Sequence, residues 1–487
     1  MIALTAAEIA AATGGELCPA SLDPATVVSG PVVVDSREVQ EGSLFVALPG
    51  EHADGHDFAA GAVGAGAGLV LAARSLSTPE GEPLPCVVVP DVERALGDVA
   101  RAVLARLREA SLEPGGAGLR VIGVTGSVGK TTTKDLLAQI LGAAGPTIAP
   151  ARSFNNEIGL PLTVLRADES TRFLVLEMGA SGIGHLTYLT DIAPPDVAVV
   201  LVVGSAHLGE FGGIEAVAKA KAEIVQGLVP DGVAVLNADD SRVRAMADVA
   251  PGQVVTFGSS AAADVRARDV RVDRAGRASF TLEAPGADGV VDQAPVTLRL
   301  VGEHHANNAV AAAAAALQVG LGLFEIAASL SGAEALSPHR MHVVDRPDGV
   351  TVIDDSYNAN PDSMQAALKA LAVVARRDRR SIAVLGEMLE LGEDAREAHD
   401  AIGRLAVRLN IALTLVVGEG ARPIRDGANR EGSWGDEIAV ADDIDAAARF
   451  LDEELRAGDV VLVKSSYGAG LWRLGDRLIA GGQEAAS

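Results

Sequence analysis

The sequence predicts an α/β protein in three parts: a small N-terminal α/β unit, a central parallel-sheet unit with a phosphate loop, and a C-terminal Rossmann-like unit. Three observations predict it. A length of 487 residues exceeds one ordinary domain and suits about three. Short apolar runs alternate with helical periodicity through most of the chain, as in parallel sheets with crossover helices. A Gly/Pro-rich break, Glu113-Pro114-Gly115-Gly116-Ala117-Gly118, is followed at once by a strand, a Gly-rich turn and a helix start.

Residues 1–112 make the first unit. Val32-Val33-Val34, Ser43-Leu44-Phe45-Val46-Ala47-Leu48, Gly68-Leu69-Val70-Leu71 and Cys86-Val87-Val88-Val89 read as strands. Asp91 then caps a helix whose Val92, Leu96, Val99, Val103 and Leu107 share one stripe. Asp35-Ser36-Arg37, just after the first strand, reads either as a polar binding edge or as a solvated turn.

Residues 113–333 make the central unit, with strands at 120–125, 173–177, 196–203 and 232–236 and a β-rich stretch over 254–302. The strand Arg120-Val121-Ile122-Gly123-Val124-Thr125 runs into Gly126-Ser127-Val128-Gly129-Lys130-Thr131-Thr132 and a helix bearing Leu136, Leu137, Ile140 and Leu141 on one face. In such a turn, backbone N–H groups and a helix N-terminus face an anion, a lysine reaches terminal phosphates and a threonine hydroxyl ligates Mg²⁺. The common spacing G-x-x-x-x-G-K-[ST] would need Gly where Val124 stands, so a chance Gly-rich turn is the competing reading. The strand before and helix after favour the cradle.

Ligands of parallel sheets bind beyond the carboxyl ends of the strands. Glu177 ends the apolar run Phe173-Leu174-Val175-Leu176, where it either holds Mg²⁺ or caps a helix. Asn155 and Asn156, between the loop helix and that strand, either read substrate or shape a turn. After His207, a helix over about 213–228 carries Lys221 on its apolar stripe with Val217, Ile224 and Leu228. A lysine on a buried stripe is costly unless paired or modified; it either snorkels outward or serves a site near the metal. His304-His305 opens the Ala-rich segment and reads as a polar helix start, since no other His or Cys stands at ligand spacing.

Residues 334–487 make the third unit, with strands at 350–353, 382–385, 412–417, 437–440 and 459–463. It lacks G-x-G-x-x-G, so a dinucleotide is not indicated. Its first strand ends in Asp354-Asp355-Ser356-Tyr357-Asn358-Ala359-Asn360-Pro361. Asn360 and Pro361 make a good N-cap and N1 pair, but capping does not account for two acids, Tyr357 and Asn358 at a strand end.

A formal net charge of −25 argues against nucleic acid or an anionic membrane as partner. Cys18 and Cys86 make neither a disulfide framework nor a metal cluster. Met1 to Glu8 has no positive n-region, so no signal peptide is expected, and no run reads as a membrane span. A cytoplasmic protein is expected.

In order along the chain, several strings resemble the Mur ligase family of cell-wall synthesis. They are Asp35-Ser36-Arg37 with Asp54-Gly55-His56-Asp57-Phe58; Thr125 to Lys134; Ser153-Phe154-Asn155-Asn156-Glu157-Ile158-Gly159; Glu177-Met178-Gly179; Ala206-His207-Leu208 with Ala220-Lys221; Asn237-Ala238-Asp239-Asp240; Arg340-Met341; Asp354 to Pro361; and Leu385-Gly386-Glu387-Met388-Leu389-Glu390-Leu391-Gly392. The resemblance implies an ATP- and Mg²⁺-dependent, monomeric ligase that joins D-alanyl-D-alanine to UDP-N-acetylmuramoyl-tripeptide through an acyl phosphate. The three units would bind the UDP substrate, ATP and the acceptor in turn. It further implies that Gly126 to Thr132 hold the phosphates and that Thr131, Glu177 and a carbamylated Lys221 ligate metal. Lys130, His207, Lys221 and Arg340 would serve catalysis, and Asn308, Arg340 and Asp355 would contact the nucleotide. Asp35, Ser36, Arg37, Asn155, Asn156, Tyr357 and Asn358 would contact the other substrates. Three positions depart from the family pattern: His305 stands for Asn, His339 for Gly, and Tyr467 for the Arg that closes Lys-Gly/Ala-Ser-Arg, so no acceptor contact is assigned near Tyr467. Two alternatives remain: another amino-acid-adding ligase of the family, and a P-loop ATPase or switch acting on a protein.

Overall fold

The computed structural model describes residues 1–50, 53–151, 153–204, 212–286, 289–376, 378–432 and 435–484. In the first part, Val32–Val33, Ser43–Val46, Ala67–Ala72 and Cys86–Val88 run parallel, and Glu16–Cys18 joins antiparallel to Cys86–Val88. The helix Ala6–Thr13 and the strand Glu16–Cys18 go beyond the sequence reading. The helix did carry a signal in Thr5-x-x-Glu8, which closes a capping box: Glu8 N donates to Thr5 Oγ1 at 3.2 Å and Thr5 N to Glu8 Oε2 at 2.7 Å.

The helix Val92–Leu112 buries the predicted stripe and leads onto the central part, where its side chains share one core with Leu160, Val164, Leu186 and Ile192. Gly97 lets the helix come close, because a Cβ there would lie 2.7 Å from Tyr188 Oη and 3.0 Å from Ile192 Cδ1.

The central sheet has nine strands, in the order Val291–Val301, Arg277–Pro285, Val265–Val272, Gln253–Gly258, Val233–Asn237, Val197–Val200, Arg120–Thr125, Phe173–Glu177, Thr147–Ile148. Arg120–Thr125 lies between Phe173–Glu177 and Val197–Val200 and is parallel to both. Such a strand is covered on both faces, which is why Val121, Ile122 and Val124 are all apolar and fully buried. The register sets Glu177 beside Val124, at the mouth of the phosphate loop. Behind the loop, the helix His305–Gln318 packs against the helix Lys130–Gly142, and its buried alanines at 311–316 allow the two to approach closely. The 254–302 stretch is the β-rich edge, ending in an antiparallel meander.

The third sheet runs His342–Asp345, Thr351–Asp354, Val460–Lys464, Ser381–Leu385, Leu413–Val417, Ile438–Ala441, parallel except for the first. That first strand is additional to the sequence reading. Its turn had the chemistry for a hairpin: Gly349 has φ +87° and Arg346 N donates to Val350 O at 2.8 Å. Asn360 caps Pro361–Ala375 as expected, accepting from Ser363 N at 2.9 Å.

The loop helix also grips the linker to the third part. Asp135 Oδ2 accepts from Ser337 N at 3.1 Å, and Gln139 exchanges two hydrogen bonds of 3.0 Å with the backbone of Glu334. Residues four apart on a helix share a face, so one helix presents its N-terminus to the cavity and its flank to the linker. Among the described residues, no helix is long and apolar enough to cross a membrane.

Candidate active site

The phosphate loop leaves its strand at Thr125 and turns on two glycines. Gly129 has φ +86°, and a Cβ there would sit 2.5 Å from Asn308 Oδ1; at Gly126, with φ +156°, it would sit 2.8 Å from Leu201 Cβ. The helix starts at Lys130 with no side-chain cap, leaving its first N–H groups for an anion. Lys130 Nζ folds back to donate to Gly126 O at 2.7 Å. Burial holds its pKa below the usual lysine range, and Glu177 pulls the other way.

Thr131 Oγ1 lies 2.8 Å from Ser153 Oγ, to which Arg340 Nη2 donates at 3.1 Å. Ser153 therefore joins the loop helix to an arginine from the third part. Arg340 also lies over the Tyr357 ring, 4.3 Å from its centroid. Its Nε is buried without a partner among the described residues.

Glu177 is 1% exposed. One carboxylate oxygen accepts from Asn155 Nδ2 at 2.8 Å; the other has no partner among the described residues, nor does the buried Thr125 Oγ1 at the end of the neighbouring strand. A buried carboxylate oxygen left without a donor suits a cation. Asn156 accepts from Gly159 N at 2.9 Å and so shapes the turn. Lys221 is buried on the helix Ile214–Gln226 and pairs with no carboxylate among the described residues. Burial, with Lys130 as a second cause, pushes its pKa down to about 7.

The helix His305–Gln318 presents Asn308, whose amide lies 3.3 Å from His305 Nδ1. His305 is buried, with Nε2 unpartnered among the described residues, and burial keeps its pKa well below the ordinary value. The helix begins at the paired histidines, as expected.

On the third-part wall, Lys464 ends its strand fully buried. Its Nζ donates to Asp355 Oδ2 at 2.5 Å and to Asn358 O at 2.8 Å, while Asp355 Oδ1 accepts from Met341 N at 3.1 Å. Burial lowers the Lys464 pKa, and Asp355 opposes it. Asp355, expected at the nucleotide, lines the cavity with its carboxylate engaged inside its own wall.

These groups line one cavity of about 610 Å³ between the central and third parts. It brings together Gly126 to Thr132, Asn155, Asn156, Glu177, Lys221, Asn308, Arg340, Asp355, Tyr357 and Asn358. Asp35, Ser36 and Arg37 do not line it. They form a short exposed turn in which Asp35 accepts from Arg37 N at 2.9 Å and its ion pair with Arg37 lowers its pKa to about 2. His207 lies outside the described residues. Ser153 and Lys464 were missed as site residues; only Lys464 had a signal, a charge ending the apolar run Val460-Val461-Leu462-Val463.

Comparison with known proteins gives a consistent picture. Residues 31–103 match the Mur ligase family catalytic domain, 124–316 the Mur ligase middle domain, and 339–467 the Mur ligase glutamate ligase domain. The chain is 48% identical to UDP-N-acetylmuramoyl-tripeptide–D-alanyl-D-alanine ligase of Mycobacterium tuberculosis, over 99% of this chain and 98% of that one. It is 34% identical to the Escherichia coli protein of the same name, over 90% and 91%. The crystal structure of MurF from Acinetobacter baumannii superposes with a TM-score of 0.84 at 30% identity, covering 98% of this chain and 99% of that one. MurF ligase from Thermotoga maritima in complex with ADP gives 0.76 at 30% identity, covering 94% and 99%.

Proposed function

The chain belongs to the Mur ligase family, and from that premise we propose that it joins D-alanyl-D-alanine to the terminal carboxylate of UDP-N-acetylmuramoyl-tripeptide at the expense of ATP, which becomes ADP. The product is the UDP-linked pentapeptide used in peptidoglycan synthesis. We place the reaction in the cytoplasm, with one chain as the active unit, since a single chain supplies both walls of the cavity.

The observation that carries this reading is the bridge Thr131–Ser153–Arg340. It sets a third-part cation against a phosphate loop in one cavity. The reaction needs this arrangement. The tripeptide carboxylate attacks the γ-phosphorus, giving an acyl phosphate and ADP. The dipeptide amine then attacks the acyl carbon, and phosphate leaves with the carboxylate oxygen. Carboxylate, γ-phosphate and oxyanion are all negative, so Lys130 and Arg340 supply fixed counter-charge and the loop N–H groups hold the phosphates. Closure of the two walls on bound substrates would exclude water that hydrolyses the acyl phosphate.

The donors present fit Mg²⁺. Glu177 offers a buried, unpartnered oxygen and Thr131 a hydroxyl, both hard ligands. A lysine amine with a pKa near 7 is half neutral at neutral pH, so Lys221 can add CO₂, forming an N–C bond and releasing one proton to give a carbamate. That anion would add a third oxygen ligand. When bound, Mg²⁺ would neutralise phosphate charge. Asn155 orients Glu177, while Asn308 at the adenine and His207 near the γ-phosphate are assigned by family resemblance alone. Asp35, Ser36 and Arg37 are assigned to the UDP end by the same resemblance.

Omission assays test the reading. ADP release should require both UDP-N-acetylmuramoyl-tripeptide and D-alanyl-D-alanine. Release with neither present supports the ATPase or switch reading instead, and release with a single amino acid replacing the dipeptide supports another ligase of the family.

A further inference from the structure

The chain has two cysteines, far apart in sequence, and the fold sets them opposite each other at the edge of the first-part sheet. Glu16–Cys18 is an edge strand there, and its ladder with Cys86–Val88 pairs Glu16 with Val88, Leu17 with Val87 and Cys18 with Cys86. Residues directly opposite in an antiparallel pair put their side chains on one face, with Cα atoms roughly 4.5–5.5 Å apart. A disulfide needs Cα atoms about 4.4–6.8 Å apart. Packing places both thiols in the same layer. Cys86 is fully buried in the apolar cluster of Phe45, Ala47, Val70 and Leu84, and the partly buried Cys18 packs against that cluster. Both cysteines are free thiols, and neither lines the cavity.

The two thiols are unequal. Burial pushes the Cys86 thiol up to about 11; a hydrogen bond from the Leu76 backbone opposes the rise, and the adjacent Cys18 thiol adds to it. Cys86 is therefore a poor first nucleophile. Cys18 reaches solvent, so an oxidant meets it first, with Cys86 waiting behind it as the resolving thiol. Their pairing is also the end rung of the ladder, since Cys18 closes one strand and Cys86 opens the other. The chain can adjust there to an S–S bond without breaking an inner rung. In a reducing compartment such a pair stays open at rest, and disulfides that form are transient and redox-responsive.

We propose that Cys18 and Cys86 are a reversible redox pair: hydrogen peroxide links them, fastening the edge strand Glu16–Cys18 to its sheet, and a dithiol reopens the link. The Cys18 sulfur attacks a peroxide oxygen; the O–O bond breaks, one water leaves and Cys18 becomes a sulfenic acid. The Cys86 sulfur then attacks the Cys18 sulfur. The S–S bond forms, the S–O bond breaks, and the hydroxide leaves with the Cys86 proton as a second water. The two thiols lose two electrons and the peroxide is reduced to two waters. The bond closes a long loop, which narrows the unfolded ensemble and makes the first part harder to unfold. This inference stands apart from the ligase reading.

The test treats the full-length protein with hydrogen peroxide and follows intact mass, thiol count and thermal unfolding. Both thiols should disappear as the mass falls by about two units, a peptide map should join Cys18 to Cys86, and dithiothreitol should reverse the change. The linked protein should melt about 3 °C or more above the reduced one. Cys18→Ser should lose the mass change and the shift, and Cys86→Ser should stop at an oxygenated Cys18. Two surviving thiols, an oxygenated Cys18 in the parent without a link, or a link between two copies would each overturn the pairing. A linked protein with an unchanged melting temperature would overturn the fastening of the edge. Cys86 is fully buried, so Cys86→Ser may misfold; Cys18→Ser, at a partly exposed edge position, then remains decisive.

Discussion

The two walls of the cavity are built in opposite ways. Among the described residues the central wall is left short of partners: Glu177 Oε2 and Thr125 Oγ1 are buried without hydrogen bonds, and Lys221 is buried without a carboxylate. The third-part wall is internally complete. Lys464 is held by Asp355 and Asn358, Asp354 accepts from Ser356 Oγ at 2.5 Å and faces His339, and His399 fastens the Leu389 loop. An incomplete wall costs stability and is worth keeping only if a ligand or cation completes it. A complete wall can hold its shape while substrates change. Arg340 is the exception: it belongs to the third part, yet its Nε is unpartnered and its Nη2 reaches across to Ser153.

The contrast makes graded predictions. Lys130→Ala removes the amine at the loop and should lower turnover by about a thousandfold or more, with little change in melting temperature. Near-normal ligation would break the central-wall account. Lys221→Ala should be inactive and partly rescued by added acetate or formate; no rescue would count against a carbamate.

Lys221 also predicts a pH effect with a definite sign. Its pKa falls from 10.5 in the unfolded chain to about 7 when folded, so unfolding takes up a proton between those values. The burial cost is full below pH 7 and is relieved as pH rises towards 10.5. In CO₂-free buffer, Lys221→Met should therefore stabilise the protein most at pH 6 and hardly at all near pH 10. A stability gain that does not change with pH would contradict the burial account.

On the complete wall the effect should be structural. Lys464→Met leaves the Asp355 carboxylate without its cation and should cost roughly 3–5 kcal/mol in urea unfolding, while the double variant with Asp355→Asn should recover part of that. A small loss in the single variant would show that the wall is not a closed unit. The smallest effect belongs to the linker grip. Gln139→Leu loses two partly exposed hydrogen bonds to Glu334 and should cost about 1 kcal/mol in the same measurement.

The same contrast explains what could be read from the chain. The central wall is local: a strand, a Gly-rich turn and a helix start are consecutive residues, and Glu177 and Lys221 each stand out as a charge against an apolar pattern. The third wall is assembled from distant segments. Lys464 and Asp355 are 109 positions apart, and neither residue hints at the other. Ser153 looks like any loop serine until Arg340 is brought to it. Asn155 and Asn156, adjacent and alike, divide between holding Glu177 and shaping a turn, which only the fold can decide. The hairpin strand His342–Asp345 is short and lies at a sheet edge, where the hydrophobic pattern is weakest.

The central claim is that the tripeptide carboxylate attacks ATP in this cavity and is then taken by the dipeptide amine. The most direct measurement uses UDP-N-acetylmuramoyl-tripeptide labelled with ¹⁸O in its terminal carboxylate, in the presence of ATP and D-alanyl-D-alanine. The account predicts one ¹⁸O in each phosphate released and one retained in the new amide. Unlabelled phosphate, with both labels left in an unligated tripeptide, would contradict it.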